Sequence, residues 1–425
     1  ADSRNKADWI LGINASYAMC KATGLGNNSL GRVQTPVLAA ISRRYREREN
    51  HISSDSWPIY ISLQKDGILF KMRRTQDLPD KESATMFFQD CKLAHQAQIT
   101  GISHSVKEIL PPDLLDLTQL QKEANIRYGY TASEVYDIAQ SLYEKKLISY
   151  PRTSSRYLTE DVFDSLSPIM TRLLSWELFP VAKGTGGIDI SSLSRHVISA
   201  EKANVHHAII ITGIRPGNMS EKEMQVYRLV AGRMLEVFMA PCRIETTNVE
   251  AVCAAQHFKA EQTRIIEAGW HDVFMHSDMI PTSGYSVKEL PEVEKGDTLN
   301  VCGCNMVHKK QLPVDPFTDA ELVEYMELNG LGTVSSRTNI IRTLVNRKYI
   351  RYSGKYIVPT PKGMFTYETI RGKKIADTSL TADWEKQLTG LESGMITGQD
   401  FLNRIRTLAK EMTDDIFNTY STKEE

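Results

Sequence analysis

Leu147-Ile148-Ser149-Tyr150-Pro151-Arg152-Thr153-Ser154-Ser155 carries one tyrosine on a β-prone run to a proline, where regular pairing stops, and sets an arginine two residues on. Along an extended backbone, residues two apart point the same way. The Tyr150 hydroxyl and the Arg152 guanidinium can therefore face one phosphate together. Tyrosine is a poor nucleophile at its ordinary pKa of about 10, and a cation alongside favours the phenolate. Arginine also makes bidentate contacts with phosphate oxygens. In isolation a Tyr-x-Arg pair says little, because most such pairs are a packed aromatic beside a surface cation.

Outward from this stretch, the order of elements is informative. Upstream, Leu117, Leu120, Ala124 and Tyr128 form one helical stripe. A second helix opens with the capping box Thr131-Ala132-Ser133-Glu134 and buries Val135, Ile138, Ala139 and Leu142. Helix, short turn, helix, then a strand holding Tyr150 is the order of a winged-helix or helix-turn-helix unit. The order recurs near the C-terminus. Thr318-Asp319-Ala320-Glu321 caps a helix with Leu322, Tyr325 and Met326, which Gly330-Leu331-Gly332 breaks. A helix with Ile340, Ile341, Leu344 and Val345 follows, then a hairpin turning at Ser353-Gly354.

The first 55 residues read as helix, loop, helix, with Ile10, Leu11 and Ile13, then Val37, Leu38 and Ile41. Alternation begins at Trp57, in Ile59-Tyr60-Ile61-Ser62-Leu63 and Ile68-Leu69-Phe70-Lys71-Met72, and returns in Thr247–Val252 and His257–Ala260. The expected class is mixed α and β in several domains. Residues 1–55 with 306–425 make one helical domain, 56–108 with 240–305 a β domain, and 109–239 a helical domain carrying Tyr150. Such nesting implies a ring or clamp in which one helical domain hangs from a β arch.

Composition narrows the classes. The chain has 425 residues, ample for a large core. A net charge of −1 gives no global basic field, so any nucleic-acid contact must come from local patches. The six cysteines are scattered, and Cys302 with Cys304 lacks the second pair of a four-ligand zinc site. Free thiols in a reducing cytoplasm are expected. No run approaches the roughly 18 apolar residues of a membrane span, and the start lacks the pattern of a signal peptide. The chain opens Ala1-Asp2-Ser3 without an initiator methionine, which suggests a processed or truncated protein.

The Tyr150 stretch closely resembles the active-site segment of the type IA DNA topoisomerases (topoisomerase I/III-like), in which a tyrosine attacks a DNA phosphate and stays joined to the 5′ end. The resemblance implies Tyr150 as nucleophile and Arg152 as the arginine that steadies the phosphate. It departs at Ser154, where the family usually has an acidic residue. Leu25-Gly26-Asn27-Asn28-Ser29-Leu30-Gly31-Arg32-Val33-Gln34-Thr35-Pro36 is similar to the family's Gly-Arg-Val-Gln-Thr-Pro segment. Glycines keep side chains clear while Ser29, Arg32 and Gln34 can reach phosphate, sugar or base edges. The bland reading is a helix N-terminus followed by an exposed basic face, Arg43, Arg44, Arg46 and Arg48.

Arg4-Asn5-Lys6-Ala7-Asp8-Trp9 resembles a further family segment, with Arg4 placed to touch the DNA backbone and Asp8 to orient it. Val205-His206-His207-Ala208-Ile209-Ile210-Ile211-Thr212 resembles the family's His-x-Ala-Ile-x-Pro-Thr, which puts His206 at the scissile phosphate and leaves His207 structural. Gly330–Thr333 with Arg337, and Leu380–Glu385, also match and read as mainly structural. The matches run through nearly the whole chain in the family's order.

The resemblance further implies a toroidal core with winged-helix-like domains, resembling the family's domains IV, II and III in the order given above. It implies DNA, chiefly single-stranded, as partner, a cytoplasmic monomer, no ATP and no zinc. Mg²⁺ belongs to the family's Toprim domain, which would lie before Ala1, and no Asp-x-Asp motif sits at a strand end in this chain. The chain is therefore expected to bind DNA and to be inactive alone. The alternative is a non-catalytic winged-helix DNA-binding or mobilisation accessory protein.

Overall fold

The structure is a computed structural model that describes residues 2–24, 26, 28–176, 178–179, 188, 193–203, 206–274 and 283–421. Leu25, Asn27 and Val205, which belong to two of the matched stretches, lie outside the described residues, as does Ala1. Helices α1 (Asp2–Thr23) and α2 (Gln34–Glu49) precede strands β1 (Asp55–Ser56), β2 (Ile59–Lys65) and β3 (Ile68–Arg74), helix α3 (Lys81–Leu93) and strand β4 (Gln96–Ile109). Helices α4 (Leu117–Tyr128), α5 (Ala132–Glu144), α6 (Glu160–Asp164), α7 (Leu166–Ser175), α8 (Ala200–Ala203) and α9 (Glu221–Glu236) separate β4 from β5 (Cys242–Cys253) and β6 (Gln256–Glu267). After β7 (Thr298–Met306) and β8 (Lys309–Lys310) come helices α10 (Asp319–Leu328) and α11 (Val334–Asn346). The hairpin β9 (Ile350–Ser353) and β10 (Tyr356–Pro359) leads to α12 (Pro361–Ile370), α13 (Ser379–Glu392) and α14 (Gly398–Ser421).

The strands β2, β3, β6, β5, β4 and β7 close in that order into a barrel. Alternation in β2 is burial: Ile59, Ile61 and Leu63 are inside, packed with Phe70, Met72, Ala251 and Phe258. The antiparallel pair β4–β5 runs from Gln98 opposite Val252 to Ile109 opposite Cys242, well past the barrel wall. There His104–Glu108 are exposed, and the ribbon is held by Thr246 against Thr263 and by Arg264 to Glu245 at 2.6 Å. At its far end Trp270 Nε1 donates to the Ile109 carbonyl at 2.9 Å, tying the ribbon to the helices. The β arch expected from the sequence is thus a closed barrel with a protruding ribbon. Helix α3 interrupts what reads as continuous β material, because only its Ala84 and Cys91 are buried and leave little periodic signal.

The capping boxes at Thr131/Glu134 and Thr318/Glu321 form, and Ser220/Glu223 makes a third. The C-terminal unit has the winged-helix order: α10, a turn whose Gly330 and Gly332 have φ of 62° and 80°, α11, and the β9–β10 hairpin. In the Tyr150 unit the strand expected after α5 is reduced to one bridge, Ile148 with Ile211. Lys146, at φ 60°, turns the chain out of α5, and Pro151 follows Tyr150 at once, so no room remains for a ladder.

Four apolar cores result among the described residues. One holds α4, α5, α7 and α9, a second α2, α10, α11 and the hairpin, a third α1, α13 and α14, and a fourth fills the barrel. Between the first two, Ala132 of α5 packs into the second core and Val334 of α11 against the first, and buried polar contacts lie beside them. The Ala132 amide donates to Asp319 Oδ1 at 3.1 Å, Gln121 Nε2 to Thr338 Oγ1 at 2.9 Å, and Arg337 Nη1 to Thr118 Oγ1 at 2.9 Å. No helix among the described residues is long and apolar enough to cross a membrane.

Candidate functional site

Two segments are zipped together around Tyr150. The Ser149 amide donates to the Ile210 carbonyl at 2.8 Å, and the Thr212 amide to Leu147 at 3.1 Å. The Ser149 hydroxyl donates to Ala208 O at 3.1 Å and accepts from the Ile210 amide at 3.0 Å. Beyond the proline, Thr153 Oγ1 donates to the His206 carbonyl at 2.9 Å and accepts from the Ser155 amide at 3.0 Å. Thr153 and Ser155 are buried, so these hydroxyls are structural pegs, whereas Ser154 faces solvent. An acidic side chain at that position would therefore point outward.

The zipper fixes which rings meet. Tyr150 lies against His206 with ring centroids 4.4 Å apart and against Tyr143 edge-on at 5.5 Å. His206 is exposed beside it, while half-buried His207 sets Nδ1 2.7 Å from the Ala208 carbonyl. Arg152 Nη2 donates to Gln140 Oε1 at 2.9 Å, and its guanidinium lies 5.0 Å from the Tyr136 ring centre. Tyr136, Gln140 and Tyr143 are four and three residues apart, one face of α5. Tyr150 and Arg152 thus lie along the same helix face, and the Arg152 Nε is buried without a partner among the described residues.

The five other residues singled out by sequence converge on one cleft of about 680 Å³. Arg4 and Asp8 come from α1, Ser29, Arg32 and Gln34 from the loop and start of α2, and Gly332, Thr333 and Arg347 from the winged-helix unit. Arg32 is 7% exposed. Its Nε donates to Asp8 Oδ1 at 2.8 Å and its guanidinium lies 4.9 Å from the Trp384 ring centre. Arg32 is thereby oriented by Asp8 and held flat by Trp384, with only an edge open to the cleft. Gln34 Nε2 reaches the Ser29 carbonyl at 3.3 Å.

Sequence reasoning missed two residues of this cleft. Arg347 Nη1 donates to Ser29 Oγ at 2.5 Å and Gln34 Oε1 at 2.9 Å; at the end of α11 it looks like an ordinary C-terminal cation. Trp9 lines the cleft and is 67% exposed, a flat ring on which a base can stack. An indole on the solvent face of α1, opposite the buried Ala7 and Leu11, was the available signal. The basic face of α2 serves another purpose. Arg44 pairs with Glu321 at 3.0 Å, Arg48 with Asp315 at 2.6 Å, and Arg46 with Glu368, all within the helical domain.

Residues 1–403 match the family described as DNA topoisomerase. The chain is 31% identical to DNA topoisomerase 3 of Bacillus licheniformis, over 98% of this chain and 60% of that protein. Against DNA topoisomerase 3 of Bacillus subtilis the identity is 30%, over 99% and 61%. The chain thus spans 60–61% of the length of these curated relatives. The solved full-length topoisomerase I from Thermotoga maritima superposes with a TM-score of 0.73 at 22% identity, covering 98% of this chain and 67% of that one. With a family match over residues 1–403, relatives about 30% identical over nearly the whole chain and a shared fold, this chain belongs to the type IA DNA topoisomerases.

Proposed function

We propose that the whole protein changes DNA topology by breaking and rejoining one strand through Tyr150. The observation that carries this is Tyr150 held against His206 by paired segments, with Arg152 fastened along the same face of α5 that Tyr150 meets. The phenolic oxygen of Tyr150 attacks a backbone phosphorus. The P–O3′ bond breaks as the Tyr–O–P bond forms, the phenol's proton leaves, and the departing oxygen takes up a proton to become a 3′-hydroxyl. The phosphoryl group stays on the 5′ end, so reversal needs no ATP. Arg152 meets the charge on the phosphate oxygens, and exposed His206 is placed to hydrogen-bond the same group. The cleft lined by Arg4, Ser29, Gln34 and Trp9 holds a single strand.

Between cleavage and rejoining, the domain bearing Tyr150 swings away on the barrel and its ribbon while another strand passes. The hydrogen bonds across the seam between α4–α5 and α10–α11 support this reading, since on separation water can satisfy those groups. The resemblance gives the whole enzyme Mg²⁺, a cytoplasmic location and a monomeric state. No group of three His, Cys, Asp or Glu able to hold a metal lies among the described residues. The test is relaxation of negatively supercoiled plasmid by the whole protein without ATP. Relaxation that Tyr150→Phe abolishes is expected; a wild-type protein that binds DNA but never relaxes it would leave the accessory-protein reading.

A further inference from the structure

We propose that a second cleft, lined by Ser16, Cys20, Asn28, Lys348 and Lys362 and joined to the first through Ser29 and Arg347, is a phosphate subsite for the bound single strand. The inference rests on the reading of the main cleft as a single-strand groove and extends its path. The two clefts share Ser16, Ser29 and Arg347, and the second encloses about 600 Å³. Its lining holds three cations, Arg347, Lys348 and Lys362, and no carboxylate among the described residues.

Independent elements bring the cations together. Arg347 and Lys348 sit at the end of α11, where Lys348 has a left-handed φ of 60° that turns the chain toward β9. Lys362 lies in the first turn of α12, whose Thr360 cap accepts from the Gly363 amide at 3.1 Å. Lys362 Nζ donates to the Arg347 carbonyl at 3.0 Å and lies 4.4 Å from the Tyr349 ring centre. That holds the ammonium at the cleft although burial and repulsion from Arg347 and Lys348 favour its neutral form. Elsewhere on this unit arginines face acids, as Arg44, Arg46 and Arg48 do. Here like charges converge on open space, and a phosphodiester is the anion that would relieve them. Arg347, already bonded to Ser29 and Gln34, links the two halves of the path.

The test is the salt dependence of single-stranded oligonucleotide binding by the 425-residue chain and by Lys348→Asn/Lys362→Gln. Asparagine tolerates the left-handed backbone at 348, and thermal unfolding checks both proteins; Lys362→Gln alone is the reserve variant. Each lost single-strand phosphate contact lowers the slope of log K against log salt by roughly 0.7, so the double variant should lose about 1.4. Lys81→Gln/Lys92→Gln, on exposed positions of α3, removes the same charge elsewhere and should leave the slope intact. An unchanged slope in the cleft variant, or an equal loss in the α3 control, overturns the subsite while the groove reading stands. Failure of the wild-type chain to bind single strands overturns both. Inorganic phosphate is titrated at fixed ionic strength as a separate arm. Protection of Lys348 and Lys362 from acylation by phosphate alone, and not by oligonucleotide, would overturn the assignment to DNA.

Discussion

At the scale of single residues, the surroundings of Arg152 distinguish the proposed catalytic role from that of a surface cation. It is fastened to Gln140 and Tyr136 rather than free in solvent, which holds its guanidinium on the α5 face where Tyr143 meets Tyr150. Removing one donor to the charge that develops in a transition state costs about 2.7–4 kcal/mol. Arg152→Ala in the whole protein should then slow single-turnover cleavage roughly 10²–10³-fold. Arg152→Lys should recover only part, because an ammonium lacks the planar fork. His206→Ala should slow cleavage even at saturating DNA; if it changes affinity alone, His206 is a general backbone contact. These residues were legible because the motif is local: Tyr150, Arg152 and Thr153 lie within four positions. The seat of Arg32 was not, since its partner Asp8 lies 24 positions away and its stacking partner Trp384 is at the other end of the chain. A sequence shows the charge of such an arginine and hides what orients it.

Elements whose signals are short-range were legible too. Capping boxes at Thr131 and Thr318 fix helix starts because both partners lie within one turn. The strand expected at Tyr150 and the unforeseen α3 failed for opposite reasons. One depends on a partner segment about 60 residues away, and the other buries too little to show a period. Asp319, in the first turn of α10, adds a measurable consequence. Burial pushes its carboxyl up to about 6, although the Ala132 amide and the Tyr352 hydroxyl both donate to it. The folded state therefore binds more protons than the unfolded one between the ordinary carboxyl range and pH 6. The stabilising contribution is full below that window and is lost as pH rises through it. Asp319→Asn keeps an acceptor without the charge. Relative to this variant, the wild type should lose on the order of 2 kcal/mol of stability between pH 4 and pH 7 in urea unfolding. Parallel stability curves would show that Asp319 is ionised in the fold at no cost.

At the scale of the whole molecule, Tyr150 and the Arg4–Arg32 cleft lie in different helical units, which meet at a seam with buried hydrogen bonds and are linked by the barrel and its ribbon. Lys122 and Glu324, 2.5 Å apart, bridge that seam. Replacing both by cysteine in the whole protein and joining them with a short bismaleimide should leave strand cleavage intact and abolish relaxation, with the unlinked pair still active. Relaxation by the linked protein would mean that strands pass without the two domains parting. Beneath every one of these steps lies the claim that Tyr150 forms the covalent bond to DNA. Incubating the whole protein with single-stranded DNA, denaturing, digesting with protease and sequencing the nucleotide-bearing peptide by mass spectrometry tests it directly. A 5′-phosphoryl group on Tyr150 and no adduct in Tyr150→Phe are expected; an adduct on another residue, or one that survives the substitution, would mean that another group forms the bond.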